Sequence, residues 1–260
     1  MKLLVVAVCA VLFCMAWIAA DGEEPAGMRA STQMLVVTTA DWDAVAGTLQ
    51  RYERANAHKK WKKAGLPFPV VVAKKGLGWG TGVAAASDFG MRGPGDPVKH
   101  EGDAKAPVGL FWLSTAFGYA AEPMAGWKMP YVSLTPTVEC VDDASSKYYN
   151  RVVDRATVSP DWNSSEHMLY TNGQYRWGLV VDHNTEPVAP GAGSCIFMHI
   201  WLGTGEGTVG CTAMEQENLE AVMGWLDPAK KPLLLQLPRA QYKAVKRKWK
   251  LPGLARGGKR

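Results

Sequence analysis

One stretch in the last third of the chain, residues 194–214, constrains the fold more than any other. It begins as a short apolar strand that ends at His199, continues into a loop with four glycines, and then presents Cys211. Thr212 and Glu215 follow with the spacing of a capping box, in which each side chain bonds the backbone amide of the other residue. The stretch therefore predicts a strand, a loop and a helix, with Cys211 immediately before the helix.

The predicted position of Cys211 has a chemical consequence. The N-terminus of a helix carries a partial positive charge, which favours a thiolate over a thiol. His199 ends the preceding strand, and a flexible glycine loop allows its imidazole to return to the cysteine as a base. A thiolate with a positioned imidazole is the minimum for covalent acyl transfer. The order of histidine before cysteine argues against a papain-like protease, in which the cysteine comes first.

Two other interpretations of these residues remain open. Cysteine and histidine side chains are often simply buried in a core. A metal site built from His183, Cys195, His199 and Cys211 is the other possibility, although no Cys-x-x-Cys or His-x-x-x-His spacing supports it.

The first 20 residues have the composition of a targeting segment. Lys2 precedes a long apolar run, and small residues stand before a polar sequence. We predict a cleaved signal peptide or an N-terminal anchor at residues 1–20 and a linker at residues 21–31.

Beyond the targeting segment the chain has three cysteines, Cys140, Cys195 and Cys211. If Cys140 and Cys195 form a disulfide, Cys211 is the free thiol; the alternative is that both are buried and reduced.

Short apolar runs separated by Gly and Pro predict a fold that is mainly β with flanking helices. We expect strands at residues 33–39, 68–73 and 232–237, a helix at 41–57 with a solvated lysine-rich end at 58–63, and a hairpin at 167–184. Residues 117–165 lack periodicity and are expected to form the walls of a cleft. Within them, we interpret Asp142 and Asp143 as capping groups, not as a catalytic acid pair or a cation site. Residues 32–238 are expected to form one domain.

The C-terminal segment, residues 239–260, differs in charge from the rest of the chain. It holds nine of the 29 Lys and Arg and none of the 24 Asp and Glu, so the remainder carries a net negative charge. Residues 241–250 predict an amphipathic helix with Tyr242, Val245 and Trp249 on one face. In an exported protein, such a basic tail suits an anionic envelope polymer or a membrane surface, and not nucleic acid. The alternative is a solvated tail without a partner.

Two motifs resemble the YkuD-type L,D-transpeptidases, a family of peptidoglycan enzymes. Their signature is a histidine, a spacer and then [ST]-H-G-C, which corresponds here to His199 and to residues 208–211, Thr-Val-Gly-Cys. Their upstream T-P-x-G-x-[FY] strand corresponds to residues 106–111, Ala-Pro-Val-Gly-Leu-Phe. The resemblance extends over residues 76–238.

The resemblance implies a small β-sandwich or open barrel with Cys211 at one end of a cleft, and export to the periplasm or cell envelope of a bacterium. Cys211 would attack the carbonyl of the third residue of a peptidoglycan stem peptide, and His199 would pass the thiol proton to the leaving D-alanine. The carbonyl of Ile200 would orient His199, and backbone amides near Gly210 and Cys211 would hold the oxyanion. No cofactor or metal is implied.

Two positions depart from the pattern of the family. Val209 stands where the family has histidine, and Ala213 stands where it has Arg or Asn. Because these changes remove expected contacts with the substrate, replacement contacts are expected elsewhere. The candidates are Lys99, His100, Trp79, Tyr131 and Glu166. Three functions follow from the resemblance: an L,D-transpeptidase, an L,D-carboxypeptidase that uses water as acceptor, and a catalytically silent wall-binding module.

Overall fold

The computed structural model describes residues 24–83 and 92–254. The signal peptide or anchor predicted at residues 1–20 lies outside these ranges. Across the described ranges, no helix is long and apolar enough to cross a membrane.

The described residues form fourteen strands, three α-helices and a single 3₁₀ turn at Pro228–Lys230. The strands are β1 (Gln33–Thr39), β2 (Ala46–Glu53), β3 (Lys62–Lys63), β4 (Phe68–Val71), β5 (Leu77–Trp79), β6 (Ala106–Gly118), β7 (Tyr131–Ser133), β8 (Val138–Val141), β9 (Val152–Asp154), β10 (Ser165–His167), β11 (Trp177–Val181), β12 (Phe197–Ile200), β13 (Thr212–Met214) and β14 (Leu233–Pro238). The helices are α1 (Ala26–Ala30), α2 (Gln216–Trp225) and α3 (Arg239–Lys246).

Eight of the strands close into a barrel. Their order is β1-β14-β6-β11-β12-β13-β4-β2, and antiparallel pairing of β2 with β1 closes the circle. Strands β1 and β14 are buried along their whole length, as continuous apolar runs predict. The prediction of a mainly β fold is confirmed, but the barrel is closed and not open, because β1 pairs along both of its edges. Closure removes the unpaired strand edges that an open barrel exposes.

A second, smaller sheet lies outside the barrel. It has the strand order β10-β8-β9, and its central strand carries Cys140. Of the two alternatives that the sequence leaves open for Cys140 and Cys195, the structure has the disulfide: Cys140 is bonded to Cys195, which lies just before β12 of the barrel. The disulfide therefore attaches the small sheet to the barrel wall.

Two secondary-structure predictions are wrong. The helix expected at residues 41–57 is replaced by strand β2, which pairs with β1, β3 and β4. The spacing of its apolar residues fits a helix, but pairing along both edges stabilises an extended chain. The hairpin expected at residues 167–184 does not form either, because β10 pairs with β8 whereas β11 pairs with β6 and β12. The expected strands at residues 33–39, 68–73 and 232–237 are confirmed as β1, β4 and β14, within two residues at each end.

The predicted capping box also proves wrong. Residues Thr212–Met214 form β13, which runs parallel to β12, and helix α2 begins only at Gln216. The Thr212 hydroxyl donates a hydrogen bond to Gln236 Oε1 of β14 (2.7 Å), a buried partner that no local spacing reveals. Cys211 therefore precedes a strand and lies away from the N-terminus of the helix.

The C-terminal segment belongs to the folded domain as far as the structure describes it. Tyr242, Val245 and Trp249 share one face as predicted, and each is at most 1% exposed. Helix α3 contacts β14 and β1, so its apolar face covers the barrel. The apolar face of this segment is therefore not available to a membrane, contrary to expectation.

At the N-terminal end of the described residues, part of the expected linker packs on the barrel as well. Met28 is buried, and Glu24 forms an ion pair with Arg54 (2.9 Å).

Candidate functional site

The free thiol lies in a small core outside the barrel. This second core consists of Phe117, Leu134, Val138, Cys140, Met168, Tyr175, Cys195, Phe197 and Cys211. Cys211 is 4% exposed, and its Sγ accepts a hydrogen bond from the backbone amide of Phe197 (3.3 Å). The thiol also donates to the carbonyl oxygen of Cys195 (3.6 Å). Two neighbouring backbone groups therefore fix the position of the sulfur.

His199 lies on the same face of the barrel wall as Cys211. In the parallel pairing of β12 and β13, Met198 is opposite Thr212 and His199 is opposite Ala213, which places Cys211 beside Phe197. Alternate residues of a strand share a face, so the side chains of Cys211 and His199 are diagonal neighbours. Such pairs have Cα atoms about 7–8 Å apart. Among the described residues, no hydrogen bond joins Cys211 Sγ to the imidazole of His199.

The backbone next to His199 determines its tautomer. Its Nδ1 lies 2.8 Å from the carbonyl oxygen of Ile200, the contact that the family resemblance implies. A carbonyl oxygen only accepts, so Nδ1 carries the proton and Nε2 has the free lone pair. Burial of His199 lowers the pKa of its imidazole to about 4. The imidazole is therefore neutral at pH 7 and able to accept a proton at Nε2.

The pKa of Cys211 is shifted in the direction opposite to the sequence prediction. Burial and, as a smaller cause, the negative charge of Glu166 raise the pKa of the thiol to about 12, whereas the Phe197 amide acts in the other direction. The predicted thiolate depended on a helix N-terminus, and β13 stands in that place. In the unliganded protein, Cys211 is therefore a thiol.

Cys211 lines a pocket of about 390 Å³ between the barrel and the small sheet. The pocket brings together residues from five separate parts of the chain. Its polar walls include Lys99, Glu101, Asp142, Glu166 and Gly210. The sequence candidates Lys99, Glu166 and Gly210 thus meet Cys211 in one cavity. His199 lies behind this pocket, and not on its lining.

Two carboxylates form one wall of the pocket. Glu166 Oε1 accepts hydrogen bonds from the hydroxyls of Tyr175 (2.6 Å) and Tyr170 (3.2 Å). Burial raises the pKa of Glu166, and the charge of Asp142 raises it further. Asp142 Oδ1 is buried and has no hydrogen-bond partner in the described part of the chain. This wall therefore offers negative charge that the protein itself does not neutralise.

The two adjacent aspartates have different roles. Asp143 accepts hydrogen bonds from the amides of Ser145 (2.9 Å) and Asn163 (2.8 Å), and these bonds lower the pKa of its carboxyl group. It is the capping group that the sequence predicts. Asp142 lines the pocket instead, so the capping interpretation is wrong for that residue. The alternation of side chains along β8 into this turn separates the two carboxylates.

The opposite wall contains a neutralised lysine. Lys99 is 4% exposed, and its Nζ donates to Asp103 Oδ1 (2.6 Å) and to the carbonyl oxygen of His100 (2.6 Å). Glu101 Oε2 beside it accepts hydrogen bonds from the hydroxyls of Tyr149 (2.5 Å) and Ser194 (2.7 Å). Because Asp103 already pairs with Lys99, this wall adds little free positive charge next to the thiol.

Three sequence candidates lie outside the pocket. One of them, His100, is exposed at the surface, and the other two are Trp79 and Tyr131. Trp79 in β5 is 2% exposed, packs edge-on against Trp42 (5.5 Å between ring centroids) and donates from Nε1 to Asp96 (3.1 Å). Tyr131 in β7 donates its hydroxyl proton to the carbonyl oxygen of Ala120 (2.8 Å). Both side chains support the fold around the barrel, so neither replaces the substrate contacts expected near Cys211.

Gly210 lines the pocket, but its amide is already engaged. The N–H of Gly210 donates to Thr208 Oγ1 (3.2 Å), and the same hydroxyl donates to the carbonyl oxygen of Cys211 (2.7 Å). Thr208 therefore fixes the turn that carries the thiol. Of the two amides expected to hold an oxyanion, that of Gly210 is therefore already occupied.

The metal-site interpretation is wrong. Cys195 is bonded to Cys140 and has no thiolate to offer a metal. The imidazole of His183 accepts a hydrogen bond from the amide of Thr81 (3.3 Å) and donates to the carbonyl oxygen of Ala192 (3.0 Å). Over residues 24–83 and 92–254, no group of three or more His, Cys, Asp and Glu side chains is arranged to hold a metal ion.

Two residues that organise the site were not predicted from the sequence. Tyr175 packs its ring against His199 (5.1 Å between centroids) while its hydroxyl bonds Glu166. Asn150 accepts a hydrogen bond from the amide of Cys195 (2.9 Å) and donates to the carbonyl of His183 (2.8 Å). Asn150 has φ of 62°, a left-handed conformation in which asparagine is enriched. That preference is a weak signal in the sequence, and Tyr175 has none.

The chain matches no family model, no curated protein and no solved structure. Its functional interpretation therefore depends on the two sequence motifs and on the geometry around Cys211.

Proposed function

We propose that this protein is a cysteine acyltransferase of the cell envelope, an L,D-transpeptidase that acts on peptidoglycan stem peptides. Cys211 is the nucleophile, and His199 is the general base and acid. One observation carries the proposal: a free thiol on the lining of a pocket and a neutral imidazole with an available Nε2 lie on the same face of adjacent strands. The site uses no cofactor.

The buried surroundings determine how the proton moves. Burial penalises both the thiolate and the imidazolium, so the resting pair is neutral. As Sγ bonds to the carbonyl carbon of the stem peptide, the thiol proton passes to Nε2 of His199. The tetrahedral intermediate then collapses, the bond to the leaving amine breaks, and the imidazolium returns the proton to that amine. The product of this half-reaction is a thioester on Cys211.

The acidic wall of the pocket suits a substrate with an amino group. A diamino acid carries an ammonium group on its side chain, and Asp142 and Glu166 offer carboxylates beside the thiol. The charge of Glu166 raises the pKa of Cys211. An ammonium group bound at this wall offsets that charge, so we expect substrate binding to lower the pKa of the thiol. The nucleophile then becomes reactive mainly when the stem peptide is in place.

A catalytically silent wall-binding module is the second candidate. It is favoured by the thiol pKa of about 12 and by the missing hydrogen bond between Cys211 and His199 in the described structure. An L,D-carboxypeptidase uses the same thioester and differs only in its acceptor, which is water.

Incubation of the purified protein with tetrapeptide muropeptides separates these functions. Cross-linked dimers or exchanged stems identify a transpeptidase, tripeptides alone identify a carboxypeptidase, and unchanged material identifies a silent module. Intact-protein mass spectrometry after rapid acid quench detects the thioester on Cys211.

Matched variants connect the activity to the site. Cys211→Ala should abolish turnover and the acyl adduct, and His199→Ala should lower turnover by about 10²–10⁴-fold because the general base is lost. His58→Ala, which removes an exposed imidazole from another part of the surface, should leave turnover unchanged. Turnover that persists in the Cys211→Ala protein contradicts the mechanism.

A further inference from the structure

Two lysine-rich segments far apart in the chain have exposed side chains. One follows β2, and the other consists of α3 and the turn after it. Seven of their exposed cations are Lys59, Lys60, Lys63, Lys243, Lys246, Arg247 and Lys250. We call this set the basic surface. From the sequence, residues 58–63 are expected only to be the solvated end of a helix that does not form.

The fold brings the two segments to the same side of the sheet. Tyr52 in β2 is directly opposite Lys63 in β3, and its hydroxyl donates to the carbonyl oxygen of Gly253 (2.9 Å). Residues directly opposite each other in an antiparallel pair project from the same face. The side chain of Lys63 therefore projects on the face where Tyr52 contacts the segment after α3. Tyr52 and Tyr242 are both completely buried in the barrel core beneath these cations.

The protein leaves this positive charge largely uncompensated. None of these seven cations forms an ion pair within the described residues, and residues 239–254 contain no acid. Glu53, opposite Lys62 in the register of β2 and β3, is the acid closest to them in the sheet. Outside the C-terminal segment, the chain carries a net negative charge. The cations are therefore concentrated on one side of an otherwise acidic molecule.

The buried face of α3 distinguishes a polymer from a membrane as the partner. A helix that binds at a membrane interface inserts its apolar face among the lipids. In α3 that face consists of Tyr242 and Val245, followed by Trp249 in the turn, and all three are buried against the barrel. Outside the barrel, α3 exposes charged and polar side chains and only two small apolar ones, Ala240 and Ala244, so it has no large apolar group to insert among lipids.

We propose that the basic surface binds a flexible, linear polyanion, a polymer with repeating phosphate or carboxylate groups. This binding does not depend on Cys211 and goes beyond the acyl transfer proposed above. Residues 59–63 and α3 contribute to one continuous binding surface, so neither segment accounts for the affinity by itself.

The proposal is tested by titrating the full-length protein with inorganic polyphosphate at several salt concentrations and measuring the affinity at each. Two triple variants remove three charges each: Lys59→Gln with Lys60→Gln and Lys63→Gln, and Lys243→Gln with Lys246→Gln and Arg247→Gln. The control, Lys74→Gln with Lys75→Gln and Lys230→Gln, removes three exposed charges elsewhere. Circular dichroism establishes that each protein is folded.

We expect each triple variant of the basic surface to weaken binding about tenfold or more at low salt and to flatten its salt dependence, because fewer counterions are exchanged. The control should change affinity less than about twofold. If only the α3 variant weakens binding, the continuous surface is wrong. If the control weakens binding equally, net charge alone is responsible. Vesicles of anionic lipid are compared with polyphosphate at equal phosphate concentration. If the protein binds the vesicles more tightly, the proposal that the partner is a polymer is wrong.

Discussion

The barrel core and the second core bury different kinds of side chain. The barrel core is almost wholly apolar, built from β1, β6 and β14 and covered on one side by α3. The second core contains a thiol and a disulfide, and it is bordered by the imidazole of His199 and by the bonded pair of Tyr175 and Glu166. One core therefore stabilises the fold, whereas the other holds the groups of the proposed reaction.

The difference shows how the fold places and buries Cys211 and His199. The barrel wall supplies the two strands that present Cys211 and His199. The small sheet then covers this region. The burial of Cys211 and His199 shifts the pKa of each group away from its ordinary value. Because the disulfide attaches that sheet, we expect perturbations of the two cores to have separable effects.

The largest effect is expected in the barrel core. Trp249→Ala removes a completely buried indole, and we expect the free energy of unfolding to fall by about 3–5 kcal/mol. Truncation after Pro238 should prevent folding, because it removes α3 as well. Urea denaturation followed by circular dichroism measures both. Trp249→Phe, which keeps an aromatic ring, should lose clearly less stability. Full stability of Trp249→Ala contradicts the assignment of this segment to the core.

The disulfide should matter mainly for the second core. Cys140 and Cys195 are separated by 55 residues, and replacing both by alanine should reduce stability by about 2–4 kcal/mol. We expect hydrogen exchange to become faster in β8, β9 and β10, while β1 and β14 stay protected. Reduction of the wild-type protein is the matched comparison. Equal loss of protection in both regions would show that the two cores are not separable.

Acid should destabilise the protein through two buried histidines, one beside each core. His199 packs on Tyr175, and His183 packs on Phe111; burial lowers the pKa of each imidazole to about 4. The unfolded chain binds protons near pH 6.5, so stability is complete above that value and falls as the pH decreases towards 4. Each histidine contributes up to about 3 kcal/mol to this loss.

Denaturation of variants at pH 7 and pH 4.5 separates the two contributions. His199→Gln and His183→Gln should each make stability less dependent on pH, whereas His58→Ala, at an exposed position, should not. An unchanged pH dependence in both glutamine variants contradicts the expected origin of the acid sensitivity.

The smallest effect is expected at the acidic wall of the pocket. Glu166→Gln removes a charge that raises the pKa of Cys211, so iodoacetamide should alkylate the thiol faster at pH 8. Because burial is the larger cause, the increase should stay below about tenfold, the equivalent of one pKa unit. Glu217→Gln in α2 is the control and should leave the rate unchanged. Slower alkylation of Glu166→Gln contradicts the electrostatic link between the pocket wall and the nucleophile.

The sequence by itself determined the features that depend on local composition. Continuous apolar runs predicted β1 and β14, and the residues after Cys211 predicted a helix, which begins as α2 at Gln216. These features are local because one segment of the chain contains nearly all the information that specifies each of them.

Only the tertiary structure decided the extended conformation of β2 and β13. Their residues have helical spacing or a capping-box pattern, but hydrogen bonds to neighbouring strands outweigh such weak local preferences. The same holds for the pocket, where Glu166, Asp142 and Lys99 meet Cys211 from separate parts of the chain. Burial among these distant residues raises the pKa of the thiol, whereas the local sequence predicted a lowered one. Desolvation depends on everything that surrounds a group in space, and no short stretch of sequence specifies those surroundings.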